Sequence, residues 1–361
     1  MSSSQHIHVL GIGNLGKLVA HSIRKSHPKT PITLLFHRPT LAEEWATAGQ
    51  CIEIVRDGVP DRQNGFNYES VSADGQQQGS VIENLVVATK SYTTVDALKP
   101  FKDRLIPSST LLFLQNGIGT IDEVNSALFN HPSQRPNYLA GIVNHGVYAT
   151  SKFSSVHAGF ANTILGPVLD SSSTAQTPQQ EEQTAFLTRQ ILDAPDLAAS
   201  LVSPTELLQT QLQKLTVNAV INPLTVIFDC FNGQLFQSEQ ICKLIRALVS
   251  ELSGVICAIV ASRQAASNAT AAERAAAQAR FSAANLNTIV FDVGAKTAKN
   301  ISSMRQDVLA GRKTEIDYIN GYIVAQAAQY GIECPLNEKI VELVRSITLV
   351  SEDKIPTVFD I

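Results

Sequence analysis

The sequence is poor in cysteine, and its few cysteines form no pattern. They are odd in number and scattered, without a C-x-x-C pair or a Cys/His cluster, at Cys51, Cys230, Cys242, Cys257 and Cys334. This spacing excludes a disulfide framework and gives no ligand set for zinc. We therefore expect reduced cysteines that act as small apolar side chains, no metal site, and a reducing compartment.

The chain also lacks an excess of charge of either sign and a long apolar run. Its 28 lysines and arginines stand against 32 aspartates and glutamates, a formal net charge of -4. A dispersed, mildly acidic balance excludes the electrostatic footprint of nucleic-acid or anionic-membrane binding. No apolar run approaches the roughly 20 residues of a membrane span, and the N-terminal residues match neither a signal peptide nor a transit peptide. We expect no nucleic-acid partner, no membrane and a cytoplasmic protein.

The order of the patterns predicts two domains within the 361 residues. No fixed-period repeat is present. In the first half, apolar β-branched runs predict strands at 6–10, 31–36, 84–89 and 110–114, alternating with helical patterns. Continuous apolar strands of this kind are typical of a mostly parallel α/β sheet covered by helices. After Pro204 helical periods dominate, at 205–228, 238–264, 270–284, 314–329 and 336–347. We predict an α/β domain over 1–203 and an all-α domain over 204–361, with the site in the cleft between them.

Three stretches have no predicted function. Residues 59–79 are rich in Gly, Gln, Asn and Asp, which indicates hairpin loops or an excursion from the sheet. Residues 167–184 are polar and low in complexity, and we expect a mobile surface loop there. Residues 262–284 are rich in alanine and other strong helix formers.

A glycine-rich turn follows the first predicted strand. It reads Gly11-Ile12-Gly13-Asn14-Leu15-Gly16 and leads into a helical pattern. In a G-x-G-x-x-G turn the first glycine permits the tight bend, the second lets a pyrophosphate approach the backbone, and the third lets helix and strand pack closely. The phosphates then meet the free N–H groups of a helix N-terminus. We predict a Rossmann-type dinucleotide site, the alternative being a glycine turn without a ligand.

The end of the second predicted strand indicates which dinucleotide binds. An NAD site usually places Asp or Glu there to bind the ribose 2′-hydroxyl. Here the strand ends in Phe36-His37-Arg38, with no acid until Glu43. An arginine at this place can hold a 2′-phosphate with two hydrogen bonds. NADP(H) is favoured over NAD, although an ordinary surface arginine would look the same.

A polar stripe runs along an otherwise apolar predicted helix. Lys214, Asn218 and Asn222 recur at four-residue intervals and therefore share one helical face. Because unpartnered buried amides are costly, such a stripe should face a partner or a wet, polar cleft. The alternative is the solvated face of a surface helix. Pro223 within the pattern predicts a kink or local break.

A second polar group lies near the C-terminus. Thr314 and Asp317 fit a capping box, with Thr at the N-cap and an acid at N3. This structural role would account for Asp317. Glu315 at N1 would be favoured by the helix dipole, so pattern alone leaves its role open between structure and function.

Taken together, these motifs resemble those of the ketopantoate reductase family. The resemblance is carried by Lys-Leu-x-Val-Asn-x-x-Ile-Asn-Pro-Leu, by Thr-Glu-Ile-Asp-Tyr-Ile-Asn-Gly, and by further anchors at 11–16, 88–90, 115–119, 231–233 and 302–307. It implies a Rossmann-type domain followed by a helical domain of the 6-phosphogluconate dehydrogenase-like kind. The implied reaction is the reduction of 2-dehydropantoate by NADPH to pantoate, for pantothenate and coenzyme A.

The same resemblance implies roles for individual residues. Lys214 resembles the general acid that protonates the carbonyl oxygen, and Glu315 the acid near the lysine and the cofactor. Substrate contacts are implied for Asn116, Asn218, Asn222, Asn232 and Ser303. Cofactor contacts are implied for Gly11, Ile12, Gly13, Asn14, Leu15, Gly16, Arg38, Lys90, Asn116, Val147 and Glu315. His145 fits a structural histidine better than a catalyst.

Two rival functions remain open at the level of the sequence. One is a sister reductase that acts on another small 2-oxo acid, because pocket shape decides between acids that differ by a methyl or hydroxyl group. The other is a catalytically idle NADP-binding sensor, which would have no need of a general acid. The only partner that the sequence implies is the small-molecule 2-oxo acid, and a homodimer stays open.

Overall fold

The computed structural model describes residues 5–38, 40–71, 79–168 and 178–361, with the side chains of 178–183 left aside. The chain divides into two compact units, Met1–Gln115 with Thr120–Leu208, and Asn116–Gly119 with Gln209–Ile361. The predicted boundary between 203 and 204 lies a few residues before this division. The sequence did not predict that the short turn 116–119 groups with the second unit.

The first unit contains a large, mostly parallel sheet. The strands of this unit are β1 (Ile7–Leu10), β2 (Ile32–Phe36), β3 (Ile52–Arg56), β4 (Val59–Gln63), β5 (Asn67–Ser70), β6 (Asn84–Val87), β7 (Thr110–Phe113), β8 (Asn137–Val143), β9 (Gly146–Ala149), β10 (Ser154–Gly159), β11 (Thr163–Pro167) and β12 (Ala199–Leu201). The large sheet has the order β12-β11-β8-β7-β6-β1-β2-β5. Neighbours from β5 to β8 pair in parallel, and β11 pairs antiparallel with β8. The four predicted strands are confirmed as β1, β2, β6 and β7.

Helices cover both faces of this sheet, which explains its continuous apolar strands. The helices of the unit are α1 (Asn14–Ser26), α2 (Thr40–Thr47), α3 (Thr94–Leu98), α4 (Thr120–Leu128) and α5 (Pro178–Leu192). Leu18 of α1 and Leu187 of α5 share one core with Val9. Val124 of α4 shares the other core with Leu10. Alternate residues of β1 therefore face opposite layers. The result is a Rossmann-type arrangement, as predicted.

A second sheet has the order β4-β3-β10-β9. Of the stretch for which we expected hairpin loops or an excursion, β4 belongs to this second sheet, β5 belongs to the large sheet, and 72–78 lie outside the described residues. The expected surface loop at 167–184 is partly wrong, because helix α5 begins at Pro178. Residues 169–177 of that loop also lie outside the described part.

The second unit is helical in its described part. Its helices are α6 (Pro204–Ile227), which begins in the first unit, α7 (Glu239–Ala266), α8 (Ala271–Arg280), α9 (Ala283–Lys296), α10 (Ser303–Leu309), α11 (Asn320–Tyr330), α12 (Pro335–Arg345) and α13 (Ile355–Phe359). The helices predicted at 205–228, 238–264 and 336–347 are confirmed as α6, α7 and α12. The prediction at 270–284 is wrong in its end, because Ser282 caps a new helix by accepting a hydrogen bond from Asn285 N.

Helix α7 packs against α8, α9, α11, α12 and α13 and forms the centre of this unit. It is also long and apolar enough to cross a membrane, with a mean hydropathy of 2.0 over 18 residues. The expectation that no segment approaches this limit is therefore wrong. Because 56% of that window is buried within the protein, the helix has the burial of a core helix.

The predicted capping box at Thr314 does not form. Residues Ile316–Tyr318 make one 3₁₀ turn without a side-chain cap, and α11 begins only at Asn320. The carboxylate of Asp317 instead accepts a hydrogen bond from Arg345 Nε at 2.9 Å. This ion pair with α12 replaces the local hydrogen bond that the sequence pattern predicts.

Candidate active site

The glycine-rich turn has two glycines that the fold requires and one that it does not. Gly11 has a φ of +93°, and a Cβ there would lie 2.6 Å from Thr89 N. Gly16 packs against the backbone of Gly11 so closely that a Cβ could not fit. At Gly13 the nearest atom to an added Cβ is Ala88 O, 3.9 Å away. The space beside Gly13, at the start of α1, is therefore free for a phosphate, as a dinucleotide site requires.

The side chain of Asn14 is used within the protein. Its Nδ2 donates to Val147 O at 3.2 Å, and its Oδ1 accepts from Ser155 Oγ at 3.1 Å. The structure thus brings together two predicted cofactor residues, Asn14 and Val147, from distant parts of the chain. These two hydrogen bonds fix the orientation of the Asn14 side chain, and the backbone N–H of Asn14 lies at the start of α1. The neighbouring Ile12 and Leu15 pack against the apolar core of the unit.

Basic residues gather beyond the end of β2. Arg38 is exposed, with Nη2 4.0 Å from Glu44 Oε1, and Lys152 Nζ lies 3.3 Å from Glu44 Oε2. Burial, together with the positive charges of Arg38 and Lys152, lowers the pKa of His37. The sequence identified Arg38 but missed Lys152. Lys152 reaches this place from the β9–β10 connection, and no local pattern marks it.

Lys90 lies at the carboxyl end of β6, half-buried in a turn. Its carbonyl oxygen accepts hydrogen bonds from the hydroxyls of Thr93 and Thr94, at 2.9 and 3.0 Å. Gly11, Arg38 and Lys90 all follow carboxyl ends of neighbouring parallel strands. This edge is where open α/β sheets bind their ligands. The residues present fit a dinucleotide with an extra phosphate.

In the second unit, Lys214 of α6 carries a perturbed ammonium group. Burial lowers its pKa from 10.5 to about 8, and the negative charge of Glu315 partly opposes this shift. Glu315 is itself buried, at 6% exposure, just before the 3₁₀ turn. The structure thus brings together the two predicted catalytic residues. A lysine with a pKa near 8 remains mostly protonated at neutral pH and gives up its proton readily.

The two asparagines that follow Lys214 on the same helical face have side-chain amides without a hydrogen-bond partner among the described residues. Asn222 is 7% exposed and Asn218 is partly buried. Both amides are therefore available to a ligand, which is what the polar stripe predicted. The alternative of a solvated surface helix is wrong for α6, because the residues from Ala219 to Ile227 are all buried.

Asn232 lies in the turn after α6 and presents a buried acceptor. Its Nδ2 donates to Thr297 Oγ1 at 3.0 Å, while Thr297 donates its own proton to Val293 O at 2.8 Å. The threonine hydroxyl can therefore only accept, which fixes the orientation of the Asn232 amide. Asn232 Oδ1 is buried and has no partner among the described residues. Sequence reasoning missed Thr297, which no motif singles out.

Ser303 begins α10 and is exposed, with no hydrogen-bond partner for its side chain in the described chain. Its neighbour Ser302 is occupied. The Ser302 hydroxyl accepts from Arg305 N at 3.1 Å and lies 2.6 Å from Thr225 Oγ1. Thr225 donates to Asn222 O, so Ser302 must donate to Thr225. This relay ties α10 to α6 and leaves Ser303 as the serine that can bind a ligand.

Asn116 belongs to the second unit through its turn. The next residue, Gly117, has a φ of +83°, and a Cβ there would collide with Tyr318 O. Ile118 N donates to the same Tyr318 O at 3.0 Å. The turn that carries Asn116 therefore lies against the 3₁₀ turn that follows Glu315.

His145 is fully engaged inside the first unit. Its Nε2 is 2.9 Å from Leu197 O, and its Nδ1 accepts from Ala161 N at 3.1 Å. Nδ1 is also 3.0 Å from His157 Nε2, and His157 Nδ1 accepts from Arg56 Nε at 3.0 Å. These contacts require both imidazoles to be neutral and fit the predicted structural role.

One group of side chains in the described chain has the spacing of metal ligands. His21, Asp61 and Asp196 place their ligand atoms within 4.8 Å of one another. Lys25 pairs with both carboxylates, at 2.9 and 3.2 Å, and Arg56 pairs with Asp196 at 2.9 Å. The two aspartates are therefore already neutralised by cationic side chains, and this group has the composition of an ion-pair network.

Comparison with known proteins gives two family matches. Residues 7–170 match the family described as "Ketopantoate reductase PanE/ApbA", and residues 206–348 match "Ketopantoate reductase PanE/ApbA C terminal". The 2-dehydropantoate 2-reductase of Saccharomyces cerevisiae is 28% identical over 355 residues, which cover 93% of each chain. The ketoisovalerate reductase BEA2 of Gibberella fujikuroi is 30% identical over 361 residues, 91% of this chain and 80% of that protein.

Solved structures share the fold. The 2-dehydropantoate 2-reductase of Geobacter metallireducens superposes with a TM-score of 0.71 at 18% identity, over 95% of this chain and 100% of that one. D-mandelate dehydrogenase with NADH and anilino(oxo)acetate gives a TM-score of 0.69, also at 18% identity, over 97% and 99%. At these identities the likeness establishes the architecture.

Proposed function

This chain belongs to the ketopantoate reductase family, and we propose that it reduces the ketone of 2-dehydropantoate to the alcohol of pantoate with NADPH. The observation that carries the proposal is the environment of Lys214. A buried ammonium with a pKa of about 8 lies under the influence of Glu315, on the same helical face as two available amides. A lowered lysine pKa, a neighbouring carboxylate and two available amides together suit acid catalysis near neutral pH.

The cofactor contributes the hydride, and the first unit would hold it. The N–H groups at the start of α1 and the open side of Gly13 would receive the pyrophosphate. Arg38 and Lys152 would bind the 2′-phosphate, since both cations lie against the same carboxylate of Glu44. Lys90, at the neighbouring strand end, would add a further cofactor contact.

Lys214 would donate its proton to the substrate's carbonyl oxygen. As negative charge grows on that oxygen, the ammonium stabilises it before the proton is transferred. Glu315 keeps Lys214 protonated at neutral pH by opposing the effect of burial. The amides of Asn218 and Asn222, the hydroxyl of Ser303 and the side chain of Asn116 would orient the acid's polar groups.

A second candidate substrate is 2-ketoisovalerate. It is favoured by the relatives named ketoisovalerate reductase, which are as similar to this chain as those named 2-dehydropantoate 2-reductase. The two acids differ by one hydroxymethyl group, which 2-dehydropantoate carries on C3 and whose hydroxyl can donate a hydrogen bond. Asn232 Oδ1 is a buried acceptor that this hydroxyl would satisfy. With 2-ketoisovalerate the acceptor would stay unpaired at a cost of about 1–3 kcal/mol, which favours 2-dehydropantoate as the substrate.

The test is NADPH oxidation followed at 340 nm with 2-dehydropantoate, 2-ketoisovalerate and other small 2-oxo acids, each repeated with NADH. We expect the highest kcat/KM for 2-dehydropantoate with NADPH. Lys214→Ala should lower kcat by at least about 10²-fold with little change in NADPH binding. Asn232→Ala should reduce the preference for 2-dehydropantoate over 2-ketoisovalerate. Binding of NADPH without turnover of any acid would instead favour a sensor.

The proposed product places the enzyme in pantothenate and coenzyme A biosynthesis, as its family implies. We propose a cytoplasmic location, because the five cysteines are all free in the structure and suit a reducing compartment. Fractionation of cells that express the tagged full chain would test this location. Light scattering of the purified protein would decide between a monomer and a homodimer.

A further inference from the structure

Helix α6 contains a backbone defect within its polar stripe. Pro223 lies inside the helix, directly after Asn222. Proline has no N–H, and its ring crowds the carbonyl group four residues earlier. That carbonyl belongs to Ala219, which follows Asn218 in the chain. Ala219 is fully buried. A buried carbonyl that loses its helical donor needs another, since water does not reach it.

The missing donor comes from another part of the second unit. Asn320 Nδ2 donates to Ala219 O at 2.8 Å. The same nitrogen donates its second proton to Asn337 Oδ1 at 3.0 Å, and Asn337 Nδ2 donates to Glu251 Oε2 at 2.8 Å. Asn320 and Asn337 are both fully buried. The acceptor on Asn337 therefore fixes the direction in which the Asn320 amide donates.

We propose that Asn320 is a positioning residue whose amide replaces the N–H group that Pro223 removes. It thereby holds the turn of α6 between Asn218 and Asn222 in the place from which both amides reach the substrate. The inference rests on the proposed function for its consequence in catalysis. The hydrogen-bond replacement itself stands on the geometry alone.

A double-mutant cycle between Asn320 and Pro223 tests this. In the wild-type background Asn320→Ala should lower kcat/KM for the best 2-oxo acid by about 10- to 100-fold, because misplaced groups act poorly. NADPH binding, measured by fluorescence, should stay within about two-fold, because its site is built from other residues. In the Pro223→Ala background the same substitution should cost less than about three-fold, because residue 223 then donates to Ala219 O.

Rescue by Pro223→Ala separates this role from simple packing. If Asn320 only filled space, its removal would cost the same in both backgrounds, and equal losses would overturn the proposal. Asn84→Ala is the matched control. Asn84 is fully buried and donates to His6 O at 3.1 Å in the first unit. Asn84→Ala should lower the Tm by the same amount with and without Pro223→Ala.

Two further outcomes are decided by the same set of variants. If Asn320→Ala is insoluble, a soluble and active double variant supports the replacement, and an insoluble double variant overturns it. If the wild-type enzyme reduces no 2-oxo acid, the proposed function fails. The readout of the cycle is then the Tm. A smaller loss of Tm from Asn320→Ala in the Pro223→Ala background than in the wild-type background supports the hydrogen-bond replacement, and equal losses overturn it.

Discussion

The pKa of Lys214 predicts how the reaction depends on pH. A fall from 10.5 to about 8 corresponds to about 3 kcal/mol of destabilisation of the ammonium form. About nine tenths of the enzyme is then protonated at pH 7, and about one tenth at pH 9. Because the proposed general acid acts in its protonated form, kcat/KM should fall about tenfold between these two pH values. An unperturbed lysine would show no such loss below pH 10.

Replacing Glu315 tests the cause of that pKa. The carboxylate of Glu315 raises the pKa of Lys214 against the effect of burial. Glu315→Gln removes the charge and keeps the shape, so the alkaline limb of the kcat/KM profile should move to lower pH. The assay is NADPH oxidation from pH 6 to 10, with the Kd of NADPH measured at each pH. A limb that stays in place or moves to higher pH in Glu315→Gln would refute the reasoning.

Two controls assign the limb to Lys214. Glu338→Gln removes an equal charge from an exposed position on α12 and should leave the profile unchanged. Lys214→Arg keeps a permanent charge, so whatever activity remains should lack the limb near pH 8. The second control is needed because burial also lowers the pKa of Lys17 in α1 to about 8. A limb that persists in Lys214→Arg would belong to another group.

Three further predictions follow from the first unit. Gly13→Ala should weaken NADPH binding while keeping the fold, whereas Gly11→Ala should lower the Tm, because only Gly11 has a left-handed φ and a close backbone neighbour; equal Tm losses would contradict this. Arg38→Ala should raise the Kd for NADPH far more than for NADH, and Glu44→Gln should lower it by releasing the cations that Glu44 neutralises; equal effects on both cofactors would remove the 2′-phosphate role. His157 has its pKa lowered from 6.5 to about 4 by burial, so the free energy of unfolding should fall as the pH drops through that range, and denaturant titrations of His157→Gln should show a flatter dependence.

The sequence predicted the elements whose signals are local. Strands β1, β2, β6 and β7 are continuous apolar runs, and a strand buried on both faces cannot look otherwise. The second sheet was not predicted, because the strand pair that joins its two hairpins is not local. In β4, Val59-Pro-Asp-Arg-Gln is polar and largely exposed, and β3 pairs with β10 from about a hundred residues later along the chain. The capping box failed for a related reason. Asp317 fits the pattern, but a distant arginine on α12 competes for its carboxylate.

The candidate site likewise contains features that the sequence predicted and features that depend on contacts between distant parts of the chain. Helical spacing was enough to place Lys214, Asn218 and Asn222 on one face. Spacing could not tell which asparagines stay available, since Asn14 and Asn218 are chemically identical. Asn14 is engaged by Val147 O and Ser155 Oγ, whereas Asn218 has no partner in the described chain. This difference depends on which side chains the fold brings near, and Lys152 was missed for the same reason.

The two family motifs of the second unit have a common physical basis in α6. This helix carries two unfavourable features, a buried ammonium at Lys214 and a proline within its length, which costs about 3 kcal/mol or more in a helix interior. Both are compensated from one short segment. Glu315 opposes the loss of charge on Lys214, and Asn320, five residues later, supplies the donor that Ala219 lacks. A substitution of Glu315 or Asn320 therefore leaves one of the two unfavourable features of α6 without compensation. The prediction is that substitutions at Glu315 and Asn320 act on the reaction through α6, one through the charge of Lys214 and the other through the placement of its neighbouring amides.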